Sequence, residues 1–367
     1  MKSNPERTQP LIRLSSPRDN NYDLLRLILA LMVIVSHGTP ALLGKNAPEP
    51  LSHFLPGSTL GGVAVAGFFV ISGYLVSASW CASTPLTYFE KRARRIGPGF
   101  IVACVATAAL AVATSTNPAG SVLRTNWLYA IITTLTIRRP VVWQAYSLNP
   151  FPFETNASLW TIKYELTCYI GTAILGFLGC FRHGMRRAVA ALFAIFLATN
   201  LILSVNQLTE SIAGHAVQLG SCYVAGLLAY CFRTVLPRSR LLMGICAVSF
   251  LLPHFYKHLT YIVLPTSGAY CLLCLIYAKN KYSQSITRFG DLSYGLYLYG
   301  WPVEQGLIAI IGVSAFTVHS LVAATIVLCL LLAYLSYRFV EKPHLFTSPR
   351  RLIPSSSAER STLQHST

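Results

Sequence analysis

The sequence predicts an all-α fold: a polytopic membrane helix bundle of about ten transmembrane helices with both termini cytoplasmic. Three observations lead there. Hydrophobic residues fill 53% of the 367 positions and charged residues only 11%, against roughly 25% charged in ordinary globular domains. Apolar runs of membrane-crossing length recur along the chain, near 24–43, 58–80, 96–115, 158–180, 188–205, 214–235, 241–256, 259–278, 292–313 and 318–339. Arg and Lys cluster in alternate connections between those runs. With ten spans, 22 of the 29 Lys and Arg fall in the tails and loops of one side, five on the other, and Arg26 and Lys163 within spans. The positive-inside rule then places both termini in the cytoplasm. The net charge of +17 therefore orients the protein in a lipid bilayer and implies no nucleic-acid partner.

In chain order, residues 1–21 read as a polar, basic, disordered cytoplasmic tail, 22–343 as the membrane domain and 344–367 as a second disordered tail. The apolar run after residue 21 carries Arg26 and His37 and lacks a small-residue cleavage site, so it is a retained span and not a signal peptide. Arg26 and His37 are eleven residues apart. On a helix that is three turns plus roughly 20°, so they share one face, about 16 Å apart along the axis. Ionisable groups inside a membrane helix are costly and are functional candidates. The alternative is that Arg26 snorkels to the headgroups and His37 hydrogen-bonds a neighbouring helix.

The second span, Gly61–Leu75, is dense in Gly and Ala, a packing face beside the first helix, with Ser72 as a polar contact on it. At the mouth of the third span, Arg92 and Arg95 are spaced i,i+3 and point the same way. Two forked guanidinium groups on one face suit phosphate, although topology alone also explains basic residues there. Residues 116–157 form the longest connection, extracytoplasmic, and its apolar part Asn126–Ile137 is too short to span, so it is re-entrant or interfacial. Long loops in tight proteins usually carry function.

The fourth span opens Asn156-Ala-Ser-Leu-Trp160, with Ser158 or Asn156 as cap and Trp160 in the interfacial aromatic belt. Glu165, seven residues in, comes out about 10 Å below the outer boundary, much the depth expected for His37. This predicts a carboxylate–imidazole pair, with Lys163 as a rival partner for Glu165. At the ninth span Asp291 is a good N-cap, Pro302 a kink and Glu304 a further buried acid. The tenth ends at Glu341-Lys-Pro343. Of ten cysteines, most stand singly in spans. Cys271-Leu-Leu-Cys274 has no flanking His or acid, so no metal site is expected. No pair of matched interrupted helices marks an inverted-repeat transporter.

Six segments in order, Arg26 with His37, Phe68-Phe-Val-Ile-Ser-Gly73, Arg92-Ala-Arg-Arg95, Ser158-Leu-Trp-Thr-Ile-Lys-Tyr-Glu165, Ser293-Tyr-Gly-Leu-Tyr297 and Glu341-Lys-Pro343, resemble the acyltransferase-3 family of membrane acyltransferases. Members commonly acetylate bacterial surface polysaccharides. The resemblance implies a catalytic role for His37 and acyl-CoA contacts at Arg26, Arg92 and Arg95. One departure is Gly300, where many members carry His before the Trp-Pro. No esterase-like domain is expected after the last span.

The expected activity is O-acylation: an acyl group, acetyl from acetyl-CoA as co-substrate, moves onto a hydroxyl of a cell-surface carbohydrate or glycolipid. No permanently bound cofactor is expected. His37 is the expected general base and Glu165 its orienting acid. Arg26, Arg92 and Arg95 bind the donor, and Trp160 and Ser72 contact substrate. The expected location is the bacterial cytoplasmic (inner) membrane. Two rivals belong to other classes: an exporter of a glycan or glycolipid precursor, and an interaction subunit of a synthesis complex. The sequence carries no signal for oligomeric state, acyl length or acceptor.

Overall fold

Backbone in hydrocarbon must satisfy its own hydrogen bonds, which restricts an apolar chain of this kind to helices. A computed structural model describes residues 9–10, 21–114, 145–181, 186–278 and 287–345. Helical segments occupy all ten expected places: α1 Tyr22–Leu43, α2 Leu60–Cys81, α3 Pro85–Ala113, α4 Ile162–Phe177, α5 Arg186–Val205, α6 Ile212–Cys231, α7 Arg240–Phe255, α8 Lys257–Ile276, α9 Ser293–Ile311 and α10 Val318–Ser336. Among the described residues, seven helices are long and apolar enough to cross a membrane: α1, α2, α3, α5, α6, α8 and α10, the last extended to His344. The only strands among them are β1 Gln9–Pro10 and β2 Pro237–Arg238, paired antiparallel. The protein is thus an all-α membrane bundle. The expected tails, apart from Gln9–Pro10, Asn21, His344 and Leu345, lie outside the described residues, as do 115–144 with the apolar run Asn126–Ile137.

Local chemistry sets the ends of the helices. Thr59 Oγ1 accepts the Gly62 N–H at 2.9 Å and caps α2. Glu49, in the loop before it, accepts from Leu60 N at 2.7 Å, Leu51 N at 2.7 Å and the Ser36 hydroxyl at 2.9 Å. One carboxylate thereby satisfies a helix-start donor that has no partner within the helix and ties the α1–α2 loop down. In α8, Pro265 removes one backbone donor, and the helix passes through a π turn at Leu264–Gly268.

The small-residue face of α2 serves two neighbours. A Cβ on Gly67 would lie 2.9 Å from Leu29, and one on Gly61 would lie 3.0 Å from Ser36 Oγ, both on α1. The closer approach is to α6, however: a Cβ on Gly73 would collide with the Tyr223 carbonyl, and one on Gly226 with that of Val70. These helices meet backbone to backbone, which only Gly permits. On the other flank, α9 lies against α1 at Gly300, whose Cβ would stand 3.0 Å from Ile34 Cγ1, and against α10 at Gly295, 2.7 Å from Ala333 Cα. A His at Gly300 would have to displace Ile34.

Before α4 the chain does not run across the end of the bundle. It dips in: Asn149, Glu154, Thr155, Asn156 and Ser158 are buried. Side-chain hydrogen bonds in both directions tie it to α9. Asn156 Nδ2 donates to the Leu298 carbonyl at 2.9 Å, Asn149 Nδ2 to that of Gln305 at 2.9 Å, and Trp301 Nε1 to that of Glu154 at 2.8 Å. Neither Asn156 nor Ser158 caps α4 as expected. A 3₁₀ turn, Leu159–Thr161, leads in, and α4 starts at Ile162, already inside the bundle.

Candidate active site

Three basic helix residues and one acid organise the basic end of the bundle. Asp291 Oδ2 accepts from Arg26 Nη1 of α1 at 2.8 Å and, closely, from Arg95 Nη2 of α3. Its Oδ1 accepts the Ser293 N–H at 3.1 Å and is also bonded by the Ser293 hydroxyl. Asp291 was expected as the α9 N-cap; it reaches that helix start from one residue further out and spends its charge on two arginines. Burial works to raise its carboxyl, but Arg26, Arg95 and the Ser293 hydrogen bonds outweigh burial and hold it well below the usual carboxylate range. Arg95 also lies 5.7 Å over the Tyr294 ring and 4.0 Å from Glu341 Oε2. Glu341 in turn accepts the Ser336 hydroxyl at 3.1 Å.

Arg92 differs from Arg95. Its guanidinium stands 5.7 Å over the Tyr169 ring, its Nε is buried without a hydrogen-bond partner, and no carboxylate among the described residues forms an ion pair with it. The nearby acid, Glu165, is held elsewhere: it accepts from the Tyr169 hydroxyl and, at 3.5 Å, from Ser72 Oγ. The two expected clamp residues are therefore unequal, one neutralised by protein and one open.

Arg26, Ser72, Arg92, Arg95 and Glu165 all line one cavity of about 100 Å³, floored by Tyr169 and Tyr294 and walled by Phe68 and Phe69 of α2. Five of the seven residues singled out in the sequence thus come together. Its far wall is Tyr297, whose hydroxyl donates to the Ser158 carbonyl at 2.8 Å and meets Thr161 Oγ1 at 2.6 Å.

His37 and Trp160 lie outside the cavity. The His37 ring meets Trp301 edge-on with centroids 5.2 Å apart, and its Nδ1 is buried without a partner. Trp301 follows Tyr297 by one turn on α9, so His37 sits one turn beyond the cavity's far wall. Glu165 follows Thr161, at the level of Tyr297, by one turn in the opposite direction. The two are therefore about 12 Å apart along the bundle axis, and the expected His37–Glu165 pair does not form. Depth counting failed because it started α4 at the membrane boundary, whereas the dipped loop delivers Ile162 well inside. Trp160 packs on Tyr164 at 5.8 Å and on His215 at 4.8 Å. Lys163, the expected rival partner of Glu165, lies 4.8 Å over the Tyr164 ring.

Sequence reasoning missed Asp291 as the anchor of both arginines, and it missed Tyr169 and Trp301. The signal for Asp291 was present: an acid beside an apolar span whose capping role needs no charge. Nothing in the sequence pointed to Tyr169 or Trp301 beyond their place among many aromatics.

The acyltransferase domain family matches residues 19–338. A protein called "O-acetyl transferase" from Shigella phage Sf6 is 28% identical over 351 residues, covering 91% of this chain and 98% of its own. "Nodulation protein 10" from Rhizobium leguminosarum bv. viciae is 29% identical over 331 residues, covering 81% and 86%. No solved structure matches. With the half-buried arginine cluster, the intramembrane histidine and this match along nearly the whole sequence, the chain belongs to the acyltransferase-3 family and is an acyltransferase enzyme.

Proposed function

We propose that the protein is a membrane O-acetyltransferase moving acetyl from acetyl-CoA onto a hydroxyl of a cell-surface carbohydrate or glycolipid. In this reading ten spans cross the bacterial inner membrane with both termini cytoplasmic, residues 22–343 form the enzyme, and the arginine end faces the compartment that holds acyl-CoA. The name of the Shigella phage relative supports O-acetyl transfer. The observation that carries the donor assignment is Arg92: a guanidinium with a buried, unpartnered Nε in a cavity that ends one turn short of His37. A half-buried guanidinium without a carboxylate suits an anionic ligand, and the CoA phosphates supply one in forked geometry.

Arg92 takes a phosphate directly. Arg26 and Arg95, fixed by Asp291, add positive potential at the same mouth. The pantetheine arm then runs past Phe68 and Ser72 towards Tyr297, and the acceptor approaches from the Trp160 end. His37 removes the proton of the acceptor hydroxyl, whose oxygen bonds to the thioester carbonyl carbon. The C–S bond breaks, and the sulfur leaves as CoA thiol with the proton returned by His37. Glu165 shapes the donor cavity through Tyr169 and takes no part at the imidazole.

The test uses the purified full chain in lipid nanodiscs with ¹⁴C-acetyl-CoA and an acceptor glycan fraction. Acetyl transfer yields labelled glycan and one CoA thiol per label, and His37→Ala abolishes both while still inserting. Movement of glycan across vesicles without release of CoA thiol would overturn the enzyme reading in favour of an exporter.

A further inference from the structure

Glu304 is a buried acid that the acyl-transfer steps do not use. Glu304 on α9 is fully buried, and neither carboxylate oxygen has a hydrogen-bond partner. Burying such a group without a donor is costly, and costlier still once it is ionised. Its surroundings supply the reason. Glu304 follows Trp301 by three residues, so both point from the same side of α9, and Trp301 is the residue that meets the His37 ring. From the other helix, Gly38 follows His37 directly, and a Cβ on Gly38 would stand 3.8 Å from Glu304 Oε1. That Cβ would also collide with Val322 of α10, so Gly38 is what lets α9 and α10 close on α1 at this level. His37 Nδ1, like the Glu304 oxygens, is buried and unpartnered. Two buried polar groups without partners thus lie at adjoining levels of two packed helices.

We infer that Glu304 is the positioning residue for His37, the role the sequence suggested for Glu165; the inference rests on the acyl-transfer reading. The two groups are not bonded to each other in the structure; once substrate closes the site, the carboxylate would accept the Nδ1–H of neutral His37, which leaves Nε2 as the base. The acceptor O–H bond breaks and its proton moves to Nε2, while the acceptor oxygen bonds to the thioester carbon. As the C–S bond breaks, Nε2 returns the proton to sulfur. The bond to the Nδ1–H is what would hold the buried Glu304 carboxylate ionised through these steps. The charge pair Glu304–imidazolium exists only while the proton is on Nε2, so the attraction favours the transition state over the resting enzyme.

The experiment compares Glu304→Gln, Glu304→Asp and Glu304→Met in the full chain, in nanodiscs, with acetyl-CoA and the acceptor. A positioning role predicts that Glu304→Gln lowers kcat on the order of 10²-fold with both KM values unchanged, and that Glu304→Asp restores part of the loss. Glu304→Met, which replaces a buried acid with an apolar chain of similar length, should melt no lower than the wild type yet turn over no faster than Glu304→Gln. The ¹⁵N spectrum of histidine-labelled protein gives a second readout. The His37 signal, identified by its loss in His37→Gln, should report the Nδ1–H tautomer in the wild type and lose that preference in Glu304→Met. Wild-type turnover in Glu304→Gln and Glu304→Met, with His37→Ala inactive, would overturn the inference and leave acyl transfer standing. A wild-type protein that transfers no acyl group would overturn both.

Discussion

Arg92 and Arg95 are one helical turn apart and equally basic, yet substituting each by Ala should damage different properties. Arg95→Ala removes one of the two arginines on Asp291 and the arginine that faces Glu341, acids whose side chains are only 12% and 2% exposed. Breaking a buried pair from one side costs about 3–5 kcal/mol because the remaining charge stays buried. At about 1.3 °C per kcal/mol for a chain of 367 residues, melting should fall by roughly 5 °C. Arg92→Ala breaks no ion pair and leaves no carboxylate stranded, so melting should stay within about a degree. It loses a charge-assisted contact to the donor worth about 1.5–3 kcal/mol, which raises the KM for acetyl-CoA roughly 10- to 150-fold with the acceptor KM unchanged. Arg92→Lys keeps the charge without the fork and should fall between. Initial rates in nanodiscs and a fluorescence melt on the same samples decide it. An unchanged donor KM in Arg92→Ala, or matching melts for the two Ala variants, would refute the division of labour.

Asp291→Asn should destabilise the protein, and the effect has a sign in pH. The folded carboxyl titrates below its ordinary value of 3.8, so its contribution is complete above that value and is lost as pH falls from there through the folded value. The gap between wild type and Asp291→Asn should therefore be flat from about pH 6 to 8 and close below about pH 4, as read from melts at each pH; a gap that widens in acid would contradict the assignment. Because His37 and Glu165 stand about 12 Å apart along the bundle, His37→Gln and Glu165→Gln should add in a stability cycle within about 0.5 kcal/mol. Tyr169→Phe removes the donor that holds Glu165 away from Arg92, so the freed carboxylate should capture Arg92 and raise the donor KM. Adding Glu165→Gln should then lower that KM again, and a further rise in the double variant would sink the explanation.

The bundle was legible because its causes are local. Apolar length and alternating basic loops depend on each segment alone, and helical segments occur at all ten expected places. Depth was not legible. Asn149, Asn156 and Trp301 pull the 149–161 segment into the bundle through bonds to Gln305, Leu298 and Glu154, with partners some 140 residues away in sequence. A single dipped loop of this kind shifts every residue that follows on its helix, and so moved Glu165 away from His37. The packing face of α2 met α1 as expected, but its second neighbour was not legible, for a related reason. Its Gly and Ala content announced a close approach, but the choice of α6 over α1 for the closest one depends on Gly226, which reads as an ordinary helix glycine until the two backbones are brought together.

Charge shows the same limit more sharply. Arg26, Arg92 and Arg95 can all be picked from the sequence, but which of them is open to a ligand depends on where the acids go. Asp291 takes two guanidinium groups at once, Glu341 reinforces one of those, and Tyr169 turns Glu165 aside. The three acids could balance the three arginines in number, yet their placement leaves Arg92 without an ion-pair partner. A phosphate arriving there meets a guanidinium that need not first release a carboxylate, whereas at Arg95 it would have to compete with Asp291 within the same low-dielectric cluster. The arrangement thus separates building the mouth from occupying it: two arginines hold α1, α3 and the start of α9 together, and the third lines the same cavity without an ion-pair partner, while Glu165 there accepts from the Tyr169 hydroxyl.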